Sequence, residues 1–336
     1  MRAALSEALR GVGHTSPNPA VGALIARDGQ ILARGYHHFA GGPHAEIEAI
    51  AALPAGISAE GATIYVTLEP CSTHGRTAPC VEAILARKFA RVVVGTLDPN
   101  PAHAGRGIEL LRAAGIEVSV GVLEPECRAL NLAFNRWIVT GRPWVIAKAG
   151  MSLDGRLSRP PGEGQWLTSE ASRADAMTLR ARVDAILIGA NTLRVDNPRL
   201  SVRGVPGARQ PWRVVLAGKQ PLPENAHLFN DEHRERTLIY RGKSLRSVLR
   251  DLGRRQITSV LVEGGMRVLS EVFDQRLADE VQFYVAPRLC GGPVLAVGGS
   301  GVGASAQAVR MKEVAYRQIG DDVCLSGLAE YPEAGL

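Results

Sequence analysis

Four residues in the first quarter of the chain have the types and spacing of a hydrolytic zinc site: His44, Glu46, Cys71 and Cys80. A catalytic zinc ion takes three protein ligands, such as imidazole and thiolate groups, and keeps a fourth position for water. The histidine and the two cysteines supply that number. Zinc lowers the pKa of bound water to about 7, and a nearby carboxylate that is not a ligand can carry protons to leaving ammonia. The pattern predicts zinc-dependent deamination, with Glu46 as the proton carrier.

Proline residues are expected to place these groups at the starts of helices. Residues i and i+2 point about 200° apart inside a helix, so His44 and Glu46 can share a pocket only at a helix start, where Pro43 puts them. The positive helix end also disfavours imidazolium and keeps His44 available as a ligand. Cys71 and Cys80 each follow a proline and are predicted to open helices, where thiolates are stabilised.

A structural zinc site is the alternative for this cluster. Such a site uses four protein ligands, and His74 could be the fourth or could replace Cys80. We prefer the catalytic interpretation because a closed site would leave Glu46 without a role. The other cysteines lack partner spacing and are predicted to be core residues: Cys127, Cys290 and Cys324.

A strand, a Gly-Gly turn and a helix are predicted in SVLVEGG and RVLSEVF in the second half of the chain. Backbone N–H groups at such a helix start can receive a phosphate, which marks Glu263, Gly264 and Gly265 as a candidate nucleotide-binding turn. A plain turn is the alternative. The later segment GGSGVGAS does not match GxGxxG, follows no clear strand and is predicted to be a loop.

Strands and helices alternate around these residues, which is typical of a sheet covered by helices. The pattern predicts helices and strands at 2–10, 21–28, 31–37, 44–53, 63–69, 81–89, 91–96, 107–115 and 116–122. The segment NLAFNRWIVTGRP is the predicted joint, because proline disfavours helix just before it and a new apolar strand follows. The second half alternates again, through WVIAKAG, a helix at 170–182, AILIGA, WRVVLAG, TLIYR, SVLVEGG, RVLSEVFDQ and EVQFYVAP. We therefore expect two α/β domains, residues 1–143 and residues 144–336.

Composition narrows the class of protein. A chain of 336 residues is long enough for two cores, and its five cysteines, an odd number, argue against a disulfide framework and favour the cytoplasm. Neither an export signal nor an apolar run of membrane-spanning length is visible. The net charge of +6 fits anionic small substrates, whereas an aromatic content of 5% offers few stacking surfaces for nucleic acid. Homo-oligomerisation is left open.

The cysteine spacing departs from the usual H-x-E with P-C-x-x-C motif, since eight residues separate the two cysteines in CSTHGRTAPC. That spacing, with SPNPAVG, GGPHAE, TLEPCSTHGRTAPC and DPNP, resembles the bifunctional riboflavin-biosynthesis deaminase/reductase family. AKAGMSLDGRLS, GQWLTS, LRARVDAILIGANTLRVDNPRLSVR and VEGG resemble its reductase half. The resemblance runs from about residue 2 to about residue 330. It implies a cytidine-deaminase-like three-layer domain followed by a dihydrofolate-reductase-like domain.

The resemblance also implies reactions and cofactors. The first domain would use Zn²⁺ to deaminate 2,5-diamino-6-(5-phosphoribosylamino)pyrimidin-4(3H)-one. The second would use NADPH to reduce the ribosyl group of 5-amino-6-(5-phosphoribosylamino)uracil to ribityl. Implied substrate contacts in the deaminase are Asn18, His74, Arg76 and Asn100. Implied NADP contacts are Gly150, Trp166, Thr192, Asp196, Gly264 and Gly265, and implied substrate contacts in the reductase are Gly164, Arg180, Leu200, Arg203 and Glu263.

Several of these residues have an ordinary structural alternative. Asn18 and Asn100 precede prolines and could simply form turns. Arg180 and Arg203 suit a phosphoribosyl substrate because guanidinium groups match phosphate oxygens, but either could be a solvated surface arginine. Trp166 is equally explicable as core packing. The family often has serine where Gly164 stands, and glycine has no side chain that could hydrogen-bond to the substrate there.

Lys148 is the candidate catalytic residue of the second domain. It lies among apolar residues in WVIAKAG, and a lysine that points into a site could polarise the substrate or donate a proton, with Asp196 assisting. A packed structural lysine is the alternative. Two other functions fit less well: a polynucleotide deaminase would leave the reductase motifs unexplained, and a non-catalytic nucleotide-binding protein would not need the residues of the zinc site.

Overall fold

The computed structural model describes residues 1–73, 78–157 and 166–332. The chain divides into two compact units, Met1–Gly141 and Arg142–Leu336. Three residues of the predicted sites lie outside the described residues: His74, Arg76 and Gly164.

The first unit is built on a five-stranded sheet in the order β2-β1-β3-β4-β5. The strands are β1 (Gly22–Arg27), β2 (Gln30–Tyr36), β3 (Thr63–Leu68), β4 (Arg91–Thr96) and β5 (Glu117–Val120). Strands β3, β4 and β5 are parallel, and β1 pairs antiparallel with both β2 and β3. The β1–β2 hairpin turns through Asp28 and Gly29, whose φ angles of 50° and 75° suit a tight hairpin turn.

Helices cover both faces of this sheet, which confirms the predicted three-layer domain. They are α1 (Arg2–Leu9), α2 (Ala45–Ala51), α3 (Cys80–Ala86), α4 (Arg106–Ala113), α5 (Glu124–Leu130) and α6 (Leu132–Thr140). Ala49, Ile84 and Leu111 from α2, α3 and α4 share a core with strand residues such as Ile64 and Val94. Helices α1 and α5 pack on the other face, so closely that a Cβ on Gly22 would lie 2.0 Å from the Ala4 carbonyl oxygen.

The second unit contains an eight-stranded sheet in the order β12-β13-β11-β6-β10-β7-β8-β9. The strands are β6 (Trp144–Ser152), β7 (Ala185–Gly189), β8 (Trp212–Ala217), β9 (Thr237–Arg241), β10 (Ser259–Val262), β11 (Glu280–Ala286), β12 (Arg310–Ile319) and β13 (Asp322–Glu330). The strands from β11 to β9 in this order are parallel. Strands β12 and β13 form an antiparallel hairpin at one edge.

Two layers of helix cover this second sheet. They are α7 (Glu170–Arg182), α8 (Ala190–Asp196), α9 (His227–Asn230), α10 (Leu245–Arg254) and α11 (Met266–Asp274). Helices α10 and α11 pack against Val145 and Ala147 of β6, while α7 and α8 pack on the face that includes Ile146. Lys148 follows Ile146 by two residues and therefore belongs to the α7 face. Among the described helices, none has the length and apolar character needed to cross a membrane.

The structure adds elements that the sequence pattern did not predict. Helix α6 occupies most of the predicted joint at 131–143, and helix α5 lies just before it, where no element was predicted. Helices α8 and α10 and the β12–β13 hairpin were also not predicted.

Candidate active sites

The predicted zinc ligands come together in the first unit. The ligand atoms of His44, Cys71 and Cys80 all lie within 4.8 Å of one another. His44 Nδ1 is 3.4 Å from the Cys71 sulfur and 3.3 Å from the Cys80 sulfur. Tetrahedral zinc with ordinary Zn–N and Zn–S bond lengths would hold nitrogen and sulfur about 3.5 Å apart, so the donor set fits Zn²⁺ in type and spacing.

Local structure explains how the ligands are presented. His44 is the N-cap residue of α2, in an extended conformation, and Glu46 lies in the first turn of that helix. Cys80 is the first residue of α3, after Pro79 as N-cap, as predicted. Cys71 differs from the prediction, because it lies in a loop between β3 and α3 and opens no helix. Its sulfur instead accepts a hydrogen bond from the Cys80 backbone N–H at 3.3 Å.

The electrostatics of this cluster favour one thiolate. Hydrogen bonding to Cys80 and to His44 lowers the pKa of Cys71 to about 4. The contact with Cys71 also raises the pKa of His44, against the opposing effect of burial.

Glu46 is buried beside these ligands. It is 3% exposed, and burial raises its pKa to about 7, with a further contribution from the charge of Cys71. A carboxyl group with a pKa near neutrality can both accept and donate a proton at physiological pH. This property is the one that proton transfer from water to ammonia requires.

Asn18 is linked to the same cluster by His37, a residue that the sequence pattern did not predict to belong to the site. The Asn18 amide nitrogen is 3.1 Å from Nε2 of the buried His37, and Nδ1 of His37 is 2.8 Å from the Pro43 carbonyl oxygen. A proton on Nδ1 would satisfy both contacts, because Nε2 could then accept from the amide. The His37 and His44 rings meet edge to face at 5.5 Å. Asn18 is thus more than a turn residue.

Asn100 has the turn role that was considered as its alternative. Its side-chain oxygen accepts a hydrogen bond from the Ala102 backbone N–H at 3.1 Å. The Asn100 backbone N–H donates to Asp98 at 2.8 Å. These contacts shape the loop between β4 and α4.

The second unit gathers three charged residues in one buried cluster. Arg180 Nε and Nη2 donate to the two oxygens of Glu263 at 2.7 and 2.8 Å, and Lys148 Nζ lies 3.7 Å from Glu263. The side chain of Arg180 is 11% exposed, that of Glu263 is 10% exposed and that of Lys148 is 19% exposed. Burial alone would raise the pKa of Glu263, but the two cations hold it at about 2. Lys148 is therefore part of a charged site and not simply packed in the core.

Arg203 and Leu200 lie in the loop that follows α8. Arg180 Nη1 donates to the Ser201 carbonyl at 3.1 Å, and Arg203 Nη1 donates to the Ser201 hydroxyl at 3.0 Å. Burial, with the charges of Arg180 and Arg199, lowers the pKa of Arg203. Leu200 has a φ of 48°, rare for leucine, and its side chain is 2% exposed, so only its backbone could face a substrate. The concentration of positive charge suits a phosphate group.

The Gly-Gly turn joins β10 to α11 as predicted. Gly265 is the N-cap of α11, and its N–H donates to the Thr192 hydroxyl at 3.1 Å. A Cβ on Gly264 would lie 2.6 Å from Val268 Cβ, and one on Gly265 would lie 3.3 Å from Thr192 Oγ1. The narrow turn brings a helix N-terminus to the open end of a parallel sheet, which fits the phosphates of NADPH.

The remaining predicted cofactor contacts lie in more open positions. Trp166 is 53% exposed, so the core-packing alternative is wrong, and the Arg173 guanidinium lies 5.3 Å from its ring centre. Asp196 is the last residue of α8 and is exposed. Among the described residues, Thr168 is the one near Gly150, with 3.4 Å between its side chain and an added Cβ, so these residues do not require glycine there.

A polar network that the sequence pattern did not predict lies beside Lys148. The ring centre of Tyr284 is 5.7 Å from Lys148 Nζ, and the Tyr284 hydroxyl donates to Asp175 at 2.7 Å. Gln282, which pairs with Lys148 across β6 and β11, donates to the same hydroxyl at 2.6 Å. Alternation along EVQFYVAP could have placed Gln282 and Tyr284 on one face, but not beside Lys148.

The three other cysteines have different environments. Cys127 and Cys324 are buried, as predicted, and Cys290 is half-buried in a loop, so the prediction of a core position is wrong for it. The GGSGVGAS segment lies in the long connection between β11 and β12. Part of it lines an open groove of about 790 Å³ with the end of α11.

Comparison with known proteins matches both units. The family model for the cytidine and deoxycytidylate deaminase zinc-binding region matches residues 1–96, and the model for the RibD C-terminal domain matches residues 143–325. The riboflavin biosynthesis protein RibD of Aquifex aeolicus (strain VF5) is 39% identical over 345 residues, which cover 97% of this chain and 96% of that protein. RibD of Escherichia coli (strain K12) is 39% identical over 360 residues, with 97% of each chain covered.

Solved structures agree over the same length. Form 1 of Acinetobacter baumannii RibD superposes with a TM-score of 0.89 at 37% identity, covering 98% of this chain and 97% of that one. The diaminohydroxyphosphoribosylaminopyrimidine deaminase/5-amino-6-(5-phosphoribosylamino)uracil reductase from Thermotoga maritima gives 0.89 at 34% identity, with the same coverage. The chain belongs to the RibD family of riboflavin biosynthesis proteins, and it combines a zinc-binding deaminase with an NADPH-dependent reductase.

Proposed function

We propose that this enzyme catalyses two consecutive steps on one phosphoribosyl pyrimidine. Residues 1–143 deaminate 2,5-diamino-6-(5-phosphoribosylamino)pyrimidin-4(3H)-one, and residues 144–336 reduce the ribosyl group of the product to ribityl. The observation that carries the proposal is the convergence of His44, Cys71 and Cys80 within 4.8 Å, beside a buried Glu46 whose pKa is about 7. The Thermotoga relative, named as a deaminase/reductase, supports pairing this chemistry with a reductase.

In the deaminase, His44, Cys71 and Cys80 would hold Zn²⁺, which when bound activates water for attack on the pyrimidine. Glu46 would carry one proton from that water to the ring nitrogen and then a second, from the hydroxyl group that the attack has added, to the amine, which leaves as ammonia. Its burial excludes solvent and raises its pKa to about 7. Asn18, held by His37, binds the pyrimidine, and Asn100, His74 and Arg76 contribute further substrate contacts.

In the reductase, NADPH would supply the hydride, held at Gly150, Trp166, Thr192, Asp196, Gly264 and Gly265. Glu263 and Arg180 bind the substrate, and Arg203 with the Leu200 backbone and Gly164 completes its site. Lys148 lies on the same sheet face as Glu263 and acts on the ribosyl oxygen, as proton donor or as a fixed positive charge, with Asp196 assisting. The arginines match the phosphate of the substrate.

Separate assays of the two reactions test this proposal. The diaminopyrimidine without NADPH should release one ammonia per molecule, and the deaminated uracil with NADPH should oxidise one NADPH per molecule. Absence of either activity in a zinc-loaded preparation would refute the corresponding half. All five cysteines are free, and we further infer that the enzyme works in the reducing cytoplasm.

A further inference from the structure

Glu69 is a buried carboxylate immediately before Pro70 and the metal ligand Cys71. It is 5% exposed, and backbone N–H groups satisfy both of its side-chain oxygens. Oε2 accepts from Asp98 at 3.2 Å and from Gly105 at 2.9 Å, and Oε1 accepts from Gly107 at 2.9 Å. All three donors belong to the segment that leads from β4 into α4.

This carboxylate does the work of a missing helix cap. Helix α4 begins at Arg106, and its N-cap residue is Gly105, which has no side chain that could accept from the first N–H groups. Those groups need an acceptor, and a negative charge is favourable at the positive end of the helix. Glu69 supplies both from a different part of the chain.

The helix start is also packed tightly against the loop that holds the metal ligand. A Cβ on Gly107 would lie 2.3 Å from the Pro70 carbonyl oxygen, and Gly105 has a φ of 81°. At the other end of the segment, the Asp98 backbone N–H bonds to Glu69, two residues before Cys71. The segment therefore runs beside the zinc site.

Contacts within the segment determine its shape, and a contact with Thr73 joins it to the loop that carries Cys71. The Asn100 side chain closes a turn with Ala102, and the His103 ring lies 3.4 Å from the Thr73 hydroxyl. Glu69 holds the segment near its start through Asp98 and at its end through Gly105 and Gly107. One side chain thus fixes both ends of the stretch that carries Asn100.

We propose that Glu69 is a positioning residue for the deamination, which holds the segment 98–107 so that Asn100 meets the pyrimidine beside the zinc ligands. The inference rests on the proposed deaminase function. Glu69 itself touches neither substrate nor metal in this account. Its effect passes through the backbone of the segment and should appear in substrate binding rather than in metal content.

Glu69→Gln tests this inference in the zinc-loaded full-length enzyme. The amide turns an acceptor oxygen into an N–H donor that faces another N–H donor, and it removes the charge at the helix end. Backbone hydrogen exchange in the segment 98–107 should become at least tenfold faster, and kcat/KM for deamination should fall at least tenfold, mainly through KM. Zinc should remain at one per chain, and reduction of supplied deaminated substrate should be unchanged.

Two controls make the outcome specific. Glu109→Gln changes an exposed carboxylate in the first turn of the same helix and should leave exchange and kcat/KM near the wild-type values. If Glu69→Gln does not fold, Glu69→Asp keeps the charge with a shorter reach and should give the same pattern, more weakly. The loss in Asn100→Ala should not add to the loss in the Glu69 variant, because both act on one contact.

Three results would overturn the inference: unchanged exchange in the segment, faster exchange with an unchanged kcat/KM, or loss of zinc. The last would mean that Glu69 supports Cys71 rather than the Asn100 segment. If the wild-type enzyme is inactive with full zinc, the proposed deaminase function itself is refuted. Hydrogen exchange would still show separately whether Glu69 holds the segment 98–107.

Discussion

Glu263→Gln should destabilise the second unit substantially at neutral pH. The glutamine keeps the size of the side chain but removes the negative charge between Arg180 and Lys148, whose side chains are 11% and 19% exposed. Removal of one partner from a buried ion pair typically costs about 3–5 kcal/mol, because the other charge stays desolvated. We expect a loss of that size in the free energy of unfolding.

The pKa of Glu263 gives a second measure of the same interaction. Arg180 and Lys148 overcome the effect of burial and lower this pKa from 4.5 to about 2, a difference that corresponds to about 3 kcal/mol. Since the folded-state pKa is the lower one, this stabilisation is present in full above the unfolded-state pKa near 4.5. It is lost as the pH falls towards 2. The gap between wild type and variant should therefore narrow in acid.

Urea unfolding followed by tryptophan fluorescence measures this effect, since Trp144, Trp166 and Trp212 all belong to the second unit. Glu235→Gln, at a side chain that is 86% exposed, is the matched control and should change stability by less than about 0.5 kcal/mol. Adding Arg180→Met to Glu263→Gln should recover part of the loss. A cost below about 1 kcal/mol at pH 7, or a gap that does not change with pH, would refute the buried ion-pair account.

Three further predictions concern catalysis. Cys80→Ser should lose most of the zinc and the deamination while reduction survives; full zinc retention would assign the third ligand to another group, such as His74. Glu46→Gln should keep zinc and lower deamination by about 10²–10⁴-fold, and a near-normal rate would place proton transfer elsewhere. Lys148→Ala should slow single-turnover reduction strongly with NADPH affinity nearly unchanged. A folded, NADPH-binding Lys148 variant with an unimpaired hydride step would end its catalytic assignment.

The deaminase site was largely predictable because its metal ligands and its proton carrier lie in short sequence motifs. His44 and Glu46 lie two residues apart after a proline, and Cys71 and Cys80 also follow prolines, so ligand types and helix starts coincide in short motifs. The contacts that support them are not local. Glu69 bonds to Gly105, 36 residues away, and Asn18 pairs with His37, so neither contact has a sequence signature.

The reductase site needed the fold before it could be understood. Lys148, Arg180 and Glu263 come from β6, α7 and the end of β10, and strand patterns alone do not reveal which strands are neighbours. Resemblance supplied Arg180 and Glu263. Tyr284 emerged only from the register of β6 and β11, and Asp175, on α7, only from its contact with Tyr284.

Some of the helices and strands that were not predicted have a recognisable sequence pattern, and others do not. Helix α10 has Ser244 as a side-chain N-cap and buries Leu245, Val248, Leu249 and Leu252, a clear helical spacing. Strand β12 is exposed over almost its whole length, so it lacks the apolar alternation by which strands are recognised. Helix α6 has no fully buried residue among its nine, which hid it within the predicted joint.

The order of the two reactions tests directly whether this chain first deaminates the pyrimidine and then reduces the product. Zinc-loaded wild-type enzyme, given the diaminopyrimidine substrate and NADPH, is followed for ammonia and for NADPH absorbance at the same time, beside Glu46→Gln. We predict equal amounts of both products for the wild type, with NADPH oxidation lagging behind ammonia. The variant should oxidise NADPH only when deaminated substrate is supplied. If Glu46→Gln, given the diaminopyrimidine and NADPH but no deaminated substrate, oxidises NADPH at the wild-type rate, deamination does not precede reduction and the proposed order is wrong.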